Sequence, residues 1–170
     1  MIQNILNTLK MRLNEEEELV VQTTQGGTYS AVFSFHSPAS EEMIEELLNH
    51  IKVDLPEDYL NLLRLHNGLE LFGSKKFGGA IAFFSIQEIL RNLETFREIY
   101  SDYDEYGLCI PIGHFPDIGF ITLNMSKHKV QHNQYILIMG IIPQTVAGTF
   151  EMFFDRLIVS QGSCYWEWIN

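Results

Sequence analysis

The sequence predicts an α+β domain, a mixed or antiparallel sheet with helices packed mainly on one face, and three observations predict it. Segments with apolar residues three and four apart are interleaved with short runs rich in β-branched and aromatic residues. The strand-like runs are grouped, two near the start and three after residue 107, where a parallel sheet would alternate strand and helix throughout. The 170 residues are 46% hydrophobic and 19% charged, which supplies one core and leaves no long disordered stretch. The reading is a single domain over residues 1–170, with its core at about 37–158 and a helix–hairpin extension in 1–36.

Each element has a local reason. Ile2, Ile5, Leu6, Leu9 and Leu13 lie at helical spacing. The four acids at 15–18 repel one another and read as a turn. Residues 19–25 and 28–35 are strand-like, and Gly26-Gly27 tolerates the positive φ of a two-residue hairpin turn. Ser40 is placed to cap a helix whose first turn sets Glu41 and Glu42 at the positive end of its dipole. Met43, Ile44, Leu47, Leu48 and Ile51 form its inner stripe, and Glu41, Glu42, Glu45 and Glu46 line the other side. Like charges four apart cost a few tenths of a kcal/mol, so that side is not tuned for helix stability alone.

Leu55-Pro56-Glu57-Asp58 starts the next helix, where proline's missing N–H costs nothing. Tyr59, Leu62, Leu63 and His66 share one side of it, and Asn67-Gly68 ends it with a left-handed cap. Residues 75–79 read as a loop and 80–84 as a strand. Ser85 and Glu88 form a capping box on a helix that turns Ile86, Ile89, Leu90, Leu93 and Phe96 inward. Residues 100–106 are an acidic, tyrosine-rich loop holding Asp102, Asp104 and Glu105. Strands follow at 108–112, 119–123 and 135–141, with a polar loop at 126–133. Thr149 caps a last helix carrying Phe150, Phe153, Phe154, Leu157 and Ile158, and the aromatic tail at 164–168 packs back on the body.

Charge narrows the function. Twenty-two acidic and 11 basic side chains give a net charge of −11, which disfavours nucleic acid and anionic membranes as partners and favours a basic protein. The same acidity also serves solubility alone. Cys109 and Cys164 form no C-x-x-C pair, and a chain with this much core does not need a disulfide. The start of the chain, broken by Asn and Gln, lacks a signal-peptide pattern, and no apolar run reaches membrane length. The expected location is cytoplasmic.

Leu55, Pro56, Asp58, Tyr59, Asn67 and Gly68, after an acidic helix, resemble the signature of the SUKH superfamily, named partly after a fungal regulator of cell-wall synthesis. The strand running into Ser85-x-x-Glu88, the Ile110-Pro111-Ile112-Gly113 strand and the aromatic helix after Thr149 are similar too, so the resemblance covers about residues 37–158. One departure lies at 116–119. Many relatives carry Gly-Asp leading into the strand, whereas here Asp117 precedes Gly119 with Ile118 between. The resemblance implies an α+β fold, motif residues that are mainly structural and, for bacterial members, an immunity role: stoichiometric neutralisation of a toxin, often a nuclease. For eukaryotic relatives it implies a regulatory scaffold.

Catalytic readings are weaker. No P-loop, dinucleotide, zincin or nucleophile-elbow motif occurs. His128 and His132 are four apart but sit in the polar loop, His66 reads as a helix-end residue, and Cys109 reads as core. His114 with Asp117 is the one pair suited to acid–base work, with no nucleophile identifiable beside it. Trp166 and Trp168 read as core packing, or else as interface hot spots. The expectation is a binder without catalysis, cofactor or metal. It meets a basic toxin domain through Glu41, Glu42, Glu45 and Glu46 and through Asp102, Asp104 and Glu105, or else these acids are simply solvated.

Overall fold

The structure, a computed structural model, describes residues 1–23, 26–76, 78–100, 102, 106–130 and 133–169. Helix α1 (Ile2–Lys10) precedes strands β1 (Glu18–Gln22) and β2 (Thr28–Phe35). Helices α2 (Glu41–Ile51) and α3 (Glu57–Leu65) lead into β3 (Leu69–Ser74) and β4 (Ile81–Phe83). Helix α4 (Ile86–Ile99), strands β5 (Cys109–Phe115) and β6 (Gly119–Asn124), helix α5 (Met125–Val130), and strands β7 (Ile136–Met139) and β8 (Gln144–Val146) follow. Helix α6 (Phe150–Val159) and a 3-10 helix (Tyr165–Ile169) close the chain.

The eight strands pair in chain order, each antiparallel to its neighbours. A meander sends its connections alternately to the two ends of the sheet. One end therefore carries the helical connections α2–α3, α4 and α5, and the other carries the short connections from β1 to β2, β3 to β4, β5 to β6 and β7 to β8.

Alternation along the strands gives the sheet two apolar faces. Ile110, Ile136 and Ile138 join the large core with Leu6, Leu62, Phe153 and Leu157 of the helical layer. Their strand neighbours Cys109, Leu137 and Met139 form a smaller cluster with Phe96 of α4. Most helices thus lie on one face, and the C-terminal half of α4 covers part of the other. In the large core, Phe83 meets Phe150, Phe153 and Phe154 edge-on at 5.4–6.5 Å, geometry that favours ring quadrupoles.

The sheet is also curled. Gln22 of edge strand β1 donates its N–H to Gln161 Oε1 at 2.7 Å, and Trp166 Nε1 donates to Gln144 Oε1 of edge strand β8 at 2.8 Å. Eight strands laid flat span about 34 Å. Residues 161–166 and the three linking side chains would only just reach that far if fully extended, and the segment is folded, with Ser163 N bonded back to Ser160 O and Tyr165 N to Ser163 O. Residues 161–166 tie the two edges together.

Three local expectations are corrected. Gln22 pairs with Thr28, so the first hairpin closes over five residues, not two. Thr23 drives this: its Oγ1 accepts from Gly27 N and its carbonyl accepts from Gly26 N. Residues 69–74 and 144–146 are strands and 125–130 a helical turn, where the polar loop at 126–133 was expected. Asn124 Oδ1 accepts from Lys127 N at 3.0 Å and so starts that turn. Gly68 is not the helix cap: α3 ends at His66 in extended geometry, and Gly68, at φ +95°, serves a close approach described below.

Candidate functional site

The acidic helix stands out from the body. Ser40 Oγ accepts from Met43 N, which caps α2 as its sequence required. Ile44, Leu47 and Ile51 are buried, so Glu41, Glu42, Glu45 and Glu46 are all exposed on the far side. They are not equivalent. Glu41 is bonded to Arg64 Nε at 2.9 Å, and the same guanidinium holds Glu57 at 2.7 Å. The Glu42 carboxylate accepts its own backbone N–H and the Ser40 hydroxyl, which hold its pKa below the usual carboxylate value. Glu45 and Glu46 make no ion pair with any described residue. Of the second acidic group, Asp102 is exposed, while Asp104 and Glu105 lie outside the described residues.

The motif residues do something different: they join helix ends. Asp58 Oδ2 accepts from Glu151 N at 2.9 Å, and Tyr135 Oη accepts from Phe150 N at 2.8 Å. Both acceptors satisfy N–H groups in the first turn of α6 that no intrahelical carbonyl reaches. Tyr59 is fully buried edge-on to Phe150 at 5.0 Å, and its hydroxyl has no partner in the structure. Leu55 and Pro56 are buried, and the Pro56 carbonyl accepts from Tyr59 N and Leu60 N to open α3. Asn67 Oδ1 accepts from Ile86 N at 2.8 Å, capping α4 alongside the observed Ser85–Glu88 box. A Cβ on Gly68 would stand 2.9 Å from both Ser85 N and His36 Nδ1, so only glycine lets α3 and α4 meet there.

The chain belongs to the SMI1/KNR4 (SUKH-1) family. The family's model matches residues 38–156, a span that holds every one of these junctions. Two uncharacterised Bacillus subtilis proteins are similar. YobM is 25% identical over 174 residues, covering 98% of this chain and 91% of the relative. YnaB is 30% identical over 139 residues, covering 81% of this chain and 88% of the relative. Among the described residues, no helix is long and apolar enough to cross a membrane.

In this SUKH-1 chain the remaining candidates are distributed as follows. His66 donates from Nδ1 to the His36 carbonyl at 2.6 Å and accepts at Nε2 from Lys10 Nζ at 2.8 Å, so it is held neutral. Burial, with Lys10 beside it, lowers its pKa. Cys109 is buried, as expected of a core residue. His128 rests on Tyr135 at 4.7 Å, and His132 lies outside the described residues. His114 and Asp117 line one open hollow of about 630 Å³ together with Ser74, Tyr29 and Gly79. Ser74 was not foreseen there. Neither His114 nor Asp117 is hydrogen-bonded to it or to the other, and Ser74 Oγ accepts from Lys76 N, so the base–nucleophile contact of a triad is not made. At the departure, position 119 requires glycine: a Cβ there would lie 2.1 Å from the Met139 carbonyl oxygen. Trp166 is buried and Trp168 is 64% exposed, so the two tryptophans divide between the two readings.

Proposed function

We propose that this SUKH-1 protein acts by binding rather than by turnover, as an immunity protein that neutralises a basic, nuclease-type toxin by covering it in a stoichiometric complex. The observation that carries the proposal is the α2 row, in which Glu45 and Glu46 stand exposed and unpaired on a chain of net charge −11. A nuclease holds phosphate and therefore presents cations, and opposite charge speeds encounter by roughly 10- to 1,000-fold. Family membership supports the reading. Of the side chains weighed for catalysis, His66 is engaged by two hydrogen bonds and Cys109 by core packing, while His114 and Asp117 share a hollow without a hydrogen bond between them.

The test is toxin rescue in cells. Any toxin domain encoded beside this gene, together with a panel of nuclease toxin domains, is expressed with the wild-type chain and with a Glu45→Lys/Glu46→Lys variant. We expect rescue by the wild type, a co-purifying one-to-one complex, and association slowed at least about tenfold in the variant. Rescue and association unchanged by charge reversal would move the interface off α2. Absence of rescue, with cell-wall or signalling proteins captured instead, would replace the immunity reading with that of a regulatory scaffold.

A further inference from the structure

A groove of about 470 Å³ opens where the curled sheet brings β1 towards the C-terminal segment. Arg156 and Val159 of α6 line it, together with Tyr165, Trp168, Thr23 and Gln161. Val159 is 72% and Trp168 64% exposed. These are large apolar surfaces that folding leaves in water. Tyr165 is buried beneath them, and the Arg156 guanidinium lies 6.0 Å from its ring centroid.

Charge makes the groove unusual in this chain. Acids outnumber bases 22 to 11, yet among the described residues no carboxylate side chain lines the groove. Arg64 and Lys75 each hold two glutamates, whereas Arg156 has no carboxylate partner among the described residues; it lies over the Tyr165 ring and donates to the Ala147 carbonyl at 3.5 Å. An exposed tryptophan beside an exposed arginine, backed by a buried tyrosine, is a composition typical of binding hot spots. The edge of β1 beside the groove is partly taken up within the fold, since Gln161 occupies the outward N–H of Gln22 and Asn14 that of Glu18.

We propose that this groove docks a segment of a partner protein in which a carboxylate side chain neighbours a large apolar one. The carboxylate pairs with Arg156, the apolar side chain packs between Trp168 and Val159, and the site is separate from the acidic row on α2. The occupant is thus opposite in charge to the partner surface that α2 attracts. Loss of one binding activity leaves the other intact.

The chain has two tryptophans, so its ¹⁵N spectrum holds two indole signals that report separately on the groove (Trp168) and on the buried tail (Trp166). The full chain is titrated with acetyl-Leu-Asp-Phe-amide and with its uncharged counterpart acetyl-Leu-Asn-Phe-amide. We expect the Trp168 signal to move with the Asp peptide, at least about tenfold weaker binding of the Asn peptide, and loss of that preference in Arg156→Gln. Free N-acetyl-aspartate is expected to leave Trp168 unmoved, because it lacks the apolar neighbour. Both positions are exposed, so Arg156→Gln and Trp168→Ala are expected to keep the wild-type thermal midpoint, which separates lost docking from lost fold. Equal binding of the two peptides, an unmoved Trp168 signal at millimolar Asp peptide, or the same preference in Arg156→Gln would each overturn the proposal. So would acetyl-aspartate binding as well as the Asp peptide, since that makes the groove a small-anion site.

Discussion

The junction of α3, α4 and α6 and the outer row of α2 lie in the same matched stretch of chain, yet they are built on opposite lines. At the junction, polar side chains are spent on backbone: Asp58 on Glu151, Asn67 on Ile86, Tyr135 on Phe150. On α2, Glu45 and Glu46 are spent on nothing in the described structure. The difference separates what the SUKH-1 signature specifies from what it leaves open. Leu55, Pro56, Asp58, Asn67 and Gly68 set how helices meet, so their presence reports the fold. Glu45 and Glu46 take no part in those contacts, so nothing in the helix junction fixes them.

The largest effect expected on that comparison is at Gly68. Gly68→Ala forces a Cβ to 2.9 Å from the Ser85 nitrogen at φ +95°, and we expect a loss of about 3 kcal/mol in urea denaturation. Gly26 is the control. It also has positive φ, at +81°, but nothing lies within 4 Å of its Cβ position, so Gly26→Ala is expected to cost only about 1 kcal/mol. Equal losses at the two would mean that strain alone, not the approach of α3 to α4, explains the motif glycine.

Asp58 comes next. Removing its carboxylate leaves Glu151 N without an acceptor in the first turn of α6, so Asp58→Ala is expected to cost about 1–2 kcal/mol and Asp58→Asn, which keeps an acceptor, clearly less. If the two variants are equally unstable, the charge and not the cap is what matters. Tyr59→Phe tests the same junction with the opposite sign. It removes a hydroxyl that is fully buried and unpartnered, so we expect a gain of about 1 kcal/mol with no change of fold. A loss of stability would show that a buried water or an undetected partner satisfies that oxygen.

Which of these features could be read from the sequence follows from the reach of the interaction. Caps made three residues away, Ser40 to Met43, Ser85 to Glu88 and Thr149 to Met152, were legible, and so were the helices they open. Caps made across the fold were not: Asp58 and Asn67 stand out as motif residues, but their targets lie 93 and 19 residues away. Strand β3 could have been found, because Leu69 and Leu71 are apolar around Glu70, which is the alternation of a half-buried strand. Strand β8, three residues with two exposed polar side chains, gives no such signal. The division between Trp166 and Trp168 depends on Phe115, Phe153 and Gln144 standing around one of them, contacts made across the fold that the sequence does not show.

The smallest effect expected lies between the two regions, at His66. In the folded chain its Nε2 accepts from Lys10 and its Nδ1 donates to the His36 carbonyl, while Phe35 packs on the ring at 5.3 Å. Protonation would place an N–H against the Lys10 ammonium, and burial opposes the charge first, so the folded pKa lies below the ordinary value near 6.5. The unfolded chain then binds the proton more readily than the folded one. The stability that neutral His66 contributes is complete above about pH 6.5 and is lost as pH falls from there through the lower folded value. The ring is partly exposed and next to solvent, so screening keeps the loss to the order of 0.5 kcal/mol. Urea midpoints of wild type and His66→Gln at pH 7.5 and pH 5.0 measure it. The wild-type advantage is expected to shrink at the lower pH, and an advantage that grows instead would mean that His66 is charged in the fold, with Lys10 turned away from it.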